Sequence, residues 1–98
     1  MSDIVTLVKQ TYEQDDLGDF EAQETEREVF CKISSVSQSE FFRAAQEGLE
    51  ADLKIEVWEH DYEGEMLAKI DGVTYTVYRT YKVNDLRREL YLSEKVSG

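Results

Sequence analysis

His60 is the one histidine of the chain and Cys31 its one thiol, so acid–base or nucleophilic chemistry would have to assemble around one or the other. Cys31 alternates with Val29 and Ile33 on the inward side of a strand-like run, where a free cysteine behaves as a small hydrophobe rather than as a thiolate nucleophile. His60 falls in His60-Asp61-Tyr62-Glu63-Gly64-Glu65, a polar turn in which a histidine is a solvated loop side chain before it is a base or a metal ligand. No phosphate-cradling glycine loop, zinc spacing or nucleophile elbow occurs. Asp15, Asp16 and Asp19 are close enough in sequence to suggest a weak calcium site, but their spacing misses the twelve-residue loop and its closing glutamate. The residues thus predict no catalytic set, no metal site and no cofactor, and a protein that is not an enzyme.

Charge is the stronger signal. The 98 residues carry 22 acidic and 11 basic side chains, a formal net charge of −11. That balance argues against a nucleic-acid binder, which needs Lys and Arg to displace counterions from phosphates, and against an anionic membrane surface. The longest apolar stretch is three residues, as in Val29–Cys31 and Leu90–Leu92, too short for a transmembrane helix or a signal-peptide core. A single cysteine suits a reducing compartment. The expectation is a soluble, acidic, intracellular protein of one domain, residues 1–98, with apolar residues enough for a core and modest stability for its length.

The charge is unevenly spread. Over residues 13–28 eight carboxylates face only Arg27, a local net of −7. Glu13, Asp15, Asp16, Asp19 and Glu21 crowd its first half, which repulsion would hold extended and solvated. Residues 79–88 hold Arg79, Lys82, Arg87 and Arg88 against Asp85, a local net of +3. A body lopsided in this way can pack head to tail, and heterologous contacts close into rings when the rotation allows. Trp58, Tyr78 and Tyr91 fall on strand faces opposite the core alternation, and such aromatics with Arg are common interface anchors. Arg79, Lys82, Arg87, Arg88, Trp58, Tyr78 and Tyr91 are therefore the candidate contact residues.

The elements that must position these residues are mainly strands. Apolar residues recur in period two through Val29-Cys31-Ile33, Leu53-Ile55-Val57, Met66-Ala68-Ile70, Val73-Tyr75-Val77 and Leu90-Leu92, the pattern of half-buried strands. The run Ile4–Val8 is strand-like without a clear inward face. Asp71-Gly72 is a type I′ hairpin signal, and Asp15–Asp19 and Asn84-Asp85 are weaker turn signals. Ser37-Gln38-Ser39-Glu40 reads as a capping box, with Val36 and Phe41 as its hydrophobic staple and Gly48 as a left-handed stop. This predicts a short helix over about 38–48 whose apolar face carries Phe41 and Ala45, widened by Phe42 and Ala44. The expected fold is mainly β: a small antiparallel barrel or sandwich of about six strands, with one helix between strands 2 and 3 plugging an end, and an acidic hairpin over about 12–28. An open sheet covered by the helix is the alternative.

Three stretches carry a resemblance. Glu28–Val36 running into Ser39-Glu40-Phe41-Phe42-Arg43-Ala44, and Asp71–Tyr81 with its Tyr78-Arg79-Thr80 ending, are similar to the helix entry and the glycine–tyrosine hairpin of the phage head–tail joining family. Leu90–Glu94 resembles its closing strand. The likeness covers roughly residues 27–95. It implies a non-enzymatic head-completion, or head-closure, protein of a long-tailed phage or prophage: a small β-barrel made in the host cytoplasm and placed at the virion neck. Its partners would be copies of itself in a ring, the portal or adaptor protein and a tail-completion protein, with DNA passing nearby without sequence-specific contact and no membrane. A monomer in solution is compatible with such a ring. Under this resemblance the acidic loop (Glu13, Asp15, Asp16, Asp19, Glu21) would face the channel or the tail, since like charges within a Debye length of about 8 Å repel DNA rather than grip it. Arg79, Lys82, Arg87 and Arg88 would face a neighbouring subunit or the adaptor. The rival reading is an acidic DNA mimic that inhibits a host nucleic-acid enzyme, which would need carboxylates spaced like phosphates over an extended face.

Overall fold

In the computed structural model, which describes residues 1–94, the six strands close into one antiparallel barrel in the order β1-β2-β3-β6-β5-β4. Residues 95–98, the end of the domain expected over 1–98 and of the resemblance, lie outside the described residues. The strands are β1 (Asp3–Gln14), β2 (Phe20–Ser34), β3 (Leu53–Trp58), β4 (Leu67–Ile70), β5 (Val73–Lys82) and β6 (Arg87–Glu94). The helix α1 (Gln38–Gln46) falls between β2 and β3. Closure leaves no open sheet edge around the barrel itself, which answers the choice between barrel and open sheet.

Alternation fills the interior as expected. Val29 and Cys31 of β2, Ile55 and Val57 of β3, Ala68 and Ile70 of β4, Val77 of β5 and Leu90 and Leu92 of β6 form one buried cluster with Val5 and Leu7. The last two settle the inward face of β1, which the sequence left ambiguous. Asp71 (φ 50°) and Gly72 (φ 80°) both take the left-handed backbone of the predicted hairpin turn, and Ile70 pairs with Val73 across it.

Three expectations are corrected. Met66, expected inward, precedes the first ladder pair of β4 and is exposed, whereas Leu67, expected outward, is buried directly opposite Val8 on the outer wall. The helix is not a plug: none of its residues belongs to the interior cluster, and its buried residues are Glu40 and Ala44, with Phe41 and Phe42 both exposed. Only half of the capping box forms. Ser37 Oγ accepts from the Glu40 N–H at 3.1 Å, but the Glu40 carboxylate turns away to β5 instead of reaching back. The predicted stop is present, with Gly48 at φ 77° and the Gly48 and Leu49 N–H groups donating to Ala45 and Ala44, the Schellman pattern.

β1 and β2 extend well past the barrel. β1 pairs with β4 only through Thr6–Val8, and β2 pairs with β3 only through Cys31–Ser34. The pairs from Lys9↔Thr25 to Gln14↔Phe20 therefore form a two-stranded arm with no third strand on either side among the described residues. The molecule measures 50 × 30 × 24 Å as a result.

Candidate functional site: a helix clamp, a paired basic strand and a projecting arm

The clamp begins with an irregularity in β5. Val77 pairs with Leu92, but the next pair is Arg79 with Tyr91, so Tyr78 is an extra residue in the ladder. A bulge of this kind re-aims the side chains beyond it. Strict alternation from Val73, Tyr75 and Val77 would send Arg79 into the core; the bulge turns it to the outer wall beside Tyr91. There its guanidinium carbon lies 4.1 Å from the centroid of the Tyr91 ring, and its Nη2 donates to Glu40 at 2.5 Å. Tyr78 Oη donates to the same carboxylate at 2.8 Å and Arg43 Nη2 at 2.9 Å. Burial alone would raise the Glu40 pKa, but the hydrogen bonds from Arg43, Tyr78 and Arg79 and the charge of Arg79 outweigh it and hold the group at about 2. The Tyr78 phenol is pushed up by burial and by the carboxylate it serves. A carboxylate held by three donors cannot act as a base near neutrality; it fastens the helix to β5.

A second buried carboxylate closes the barrel where the arm leaves it. Arg27 continues the inward series of Val29 and Cys31, and its Nη2 donates to Glu65 at 2.6 Å and to the Asp61 carbonyl at 2.6 Å. The Glu63 N–H donates to Glu65 at 2.7 Å. Burial opposes the charge of Glu65, yet these bonds hold its pKa below the ordinary value. Neither carboxylate was a candidate from the sequence. Arg27, the one cation among eight acids and in register with the inward series, was the available signal for Glu65.

The seven predicted contact residues are distributed as follows. Tyr78, Arg79 and Tyr91 come together under α1, with Tyr91 buried instead of exposed because it forms the floor beneath Arg79. Arg87 meets Glu56 at 3.1 Å, Arg88 meets Glu59 at 2.8 Å and Lys82 approaches Asp85 at 3.6 Å. The +3 counted along residues 79–88 is therefore cancelled in space by Glu40, Glu56 and Glu59 from other elements. Trp58 stays on the outer wall, in register with Arg87. Changing Lys82 and Arg87 together to Gln should leave thermal stability within about 0.5–1 kcal/mol of the parent, because exposed ion pairs contribute little. Changing Arg79 and Arg88 as well should unfold the protein at a clearly lower temperature in a thermal melt, because Arg79 is tied to a buried carboxylate.

The arm carries the predicted acidic loop. Asp15 Oδ1 accepts from the Leu17 and Asp19 N–H groups at 2.9 Å each, and Gly18 supplies the left-handed residue at φ 88°. Asp15 thus shapes the turn. Glu13 and Glu21 sit directly opposite one another, a like-charge pair that loosens a ladder. Among the described residues, Glu13, Asp15, Asp16, Asp19, Glu21 and Glu24 have no salt-bridge partner. On the other face of the arm Gln10, Gln14 and Glu24 flank an apolar patch, with Tyr12 opposite Ala22, Phe20 diagonal to Tyr12, and Leu17 at the tip. These three are 68%, 71% and 88% exposed.

The titratable pair considered for catalysis does not converge. Cys31 is fully buried, and burial, with the nearby Asp3, pushes its thiol up to about 11. His60 projects from the turn of 3₁₀ helix at Glu59–Asp61, its Nε2 3.4 Å from Asp61. Among the described residues no group of three His, Cys, Asp or Glu side chains is arranged to hold a metal ion, and no helix is long and apolar enough to cross a membrane. No protein-family model and no curated protein matches the chain.

Proposed function

We propose that this chain is a non-enzymatic structural component of the head–tail connector of a long-tailed phage or prophage. Copies form a ring between the portal or adaptor and the tail, close the filled head and dock the tail. Support comes from the resemblance carried by Glu28–Ala44 and Asp71–Tyr81, and above all from one structural observation. The three most exposed large apolar side chains among the described residues, Leu17, Phe20 and Tyr12, and six carboxylates without a salt-bridge partner lie on an arm that stands clear of a closed, well-packed barrel. Such an arm adds nothing to the core, so its sequence is explained by what it touches outside the molecule. The two buried carboxylates serve the same end, since they fix the helix and the barrel mouth as rigid platforms for contact. An acidic arm near the path of DNA repels it, which suits a duplex that must slide out without adhering.

The test is made on particles. In a phage or induced prophage carrying this gene, its deletion should yield filled heads without tails, and the purified protein should restore tail attachment when added to those heads. Tailed particles from the deletion strain, or mature particles without the protein at the neck, would overturn the reading.

A further inference from the structure

A ring built head to tail needs two different surfaces of one chain that fit each other. Electrostatic pairing of an acidic arm with the basic strand would have to compete with pairs already made, because Arg79, Lys82, Arg87 and Arg88 meet carboxylates of their own chain. The barrel wall offers another surface. Ile4 pairs with Phe30, the register Cys31↔Val57 puts Phe30 beside Trp58, and Trp58 pairs with Arg87. Ile4, Phe30 and Trp58 thus form an outward band across β1, β2 and β3, exposed by 52%, 57% and 36%. Lys32 follows Phe30 on the same face of β2. Among the described residues it and Lys9 are the two cationic side chains without a carboxylate within 4.0 Å.

We infer that the arm of one copy lies across this band on the next copy, with Tyr12 and Phe20 covering Ile4, Phe30 and Trp58 and a carboxylate of the arm reaching Lys32. The two patches are complementary in kind: Tyr12 and Phe20 meet apolar side chains, and a carboxylate of the arm meets Lys32, which lies on the other side of Phe30 from the unpaired Glu28. Phe41 and Phe42 are a poorer seat, because the one cation of their helix, Arg43, is already held by Glu40 and Glu47. Ile4 and Tyr12 lie on the same face of β1, eight residues or roughly 26 Å apart at strand rise. An arm therefore cannot fold onto the wall of its own chain and must find that of another copy. The inference rests on the ring reading above and identifies the contact within it.

The experiment is a concentration series of the full-length ¹⁵N-labelled protein up to millimolar, followed by amide shifts and sedimentation. Shifts should grow together in two places, around Tyr12–Phe20 and around Ile4, Phe30 and Lys32. Tyr12→Ser with Phe20→Ser (arm-defective) and Phe30→Ser (wall-defective) should each weaken association at least tenfold while leaving the thermal midpoint in place. Lys32→Glu, at the rim, should weaken it several-fold and stands in if Phe30→Ser fails to fold. Mixing arm-defective and wall-defective chains should restore one intact contact and stop at dimers, which a merely structural role for these residues would not produce. Shifts confined to one patch, no concentration dependence, or a mixture that restores nothing would overturn the contact. Association through another face would also overturn it while leaving the connector reading standing, because that reading fails only on the particle experiments.

Discussion

Glu40→Ala should lower the stability of the fold by about 2–4 kcal/mol, somewhat under the range for breaking a fully buried ion pair because Arg43 and Arg79 keep part of their contact with water. The loss has two sources. Three donors that converge on the carboxylate, Arg43, Tyr78 and Arg79, lose their acceptor, and each partly buried donor left without one is costly. Arg79 is the most affected, since its Nε is already buried without a hydrogen-bond partner. In a domain of this size the change lowers the melting midpoint by roughly 10–20 °C. Tyr78→Phe removes one donor and leaves the charge paired, so its effect should be about 1 kcal/mol. An alanine variant that melts with the parent would mean that α1 is held by something other than this clamp.

The same group sets a pH dependence whose sign is fixed. The Glu40 pKa is about 2 in the fold against about 4.3 for a free glutamate, so the unfolded chain takes up the proton first as pH falls. The stabilisation is fully present above the unfolded value and is lost as pH drops from about 5 towards 2. Its magnitude is a few kcal/mol at most. Chemical denaturation at pH 6, 4 and 2.5 should show the parent losing stability over this range, with the Glu40→Ala curve flatter by the share that Glu40 carries. Parallel curves would remove Glu40 from the acid response.

The barrel and the clamp differ in how far they can be read from the sequence alone. Alternation in Leu53–Val57 or Leu90–Leu92 reports burial directly, because a strand in a closed sheet has one inward face and period two follows from the pleat. Asp71-Gly72 is equally local. The clamp is not local. It depends on Tyr78 being an extra residue in β5, and parity counted along the chain places Arg79 in the core until the pairing with β6 is known. Glu40 follows a related logic: a glutamate at the third helical position matches the capping-box pattern, yet Tyr78 and Arg79 of β5 and Arg43 of α1 compete for its carboxylate and win. The +3 of residues 79–88 was a sum along the chain, whereas neutralisation happens across strands, through Glu56 beside β6 and Glu59 after β3. The apolar band is invisible for the same reason. Ile4, Phe30 and Trp58 are single outward residues on three separate runs, and only register makes them neighbours. The acidic hairpin was the legible part of the candidate site, because its charge density and turn residues are contiguous in the chain.

Replacing Gln10–Glu24 with Asn-Gly should leave a folded barrel and abolish both self-association and recruitment to heads. The barrel is indifferent to the arm: β1 and β2 make their contacts with β4 and β3 at Thr6–Val8 and Cys31–Ser34, below the cut, and a two-stranded ribbon has little stability of its own to contribute. The midpoint of thermal unfolding should therefore move by no more than a few degrees. The deletion also removes six carboxylates and no cation, taking the net charge from −11 to −5, and this makes the outcome decisive. If copies of the parent were kept apart only by mutual repulsion, the shortened chain would associate more readily than the parent. If the arm supplies the contact, it associates at least tenfold less readily in spite of the lower charge. Salt separates the same two effects in the parent. At 0.5 M NaCl the Debye length falls to about 4 Å, so the repulsion between like-charged copies is screened while burial of Tyr12 and Phe20 is not. Association of the parent should accordingly strengthen between 0.05 and 0.5 M salt, with the shortened chain monomeric throughout. Sedimentation velocity on the two proteins at both salt concentrations measures this, and a shortened chain that assembles as well as the parent would leave the arm without a role in the ring.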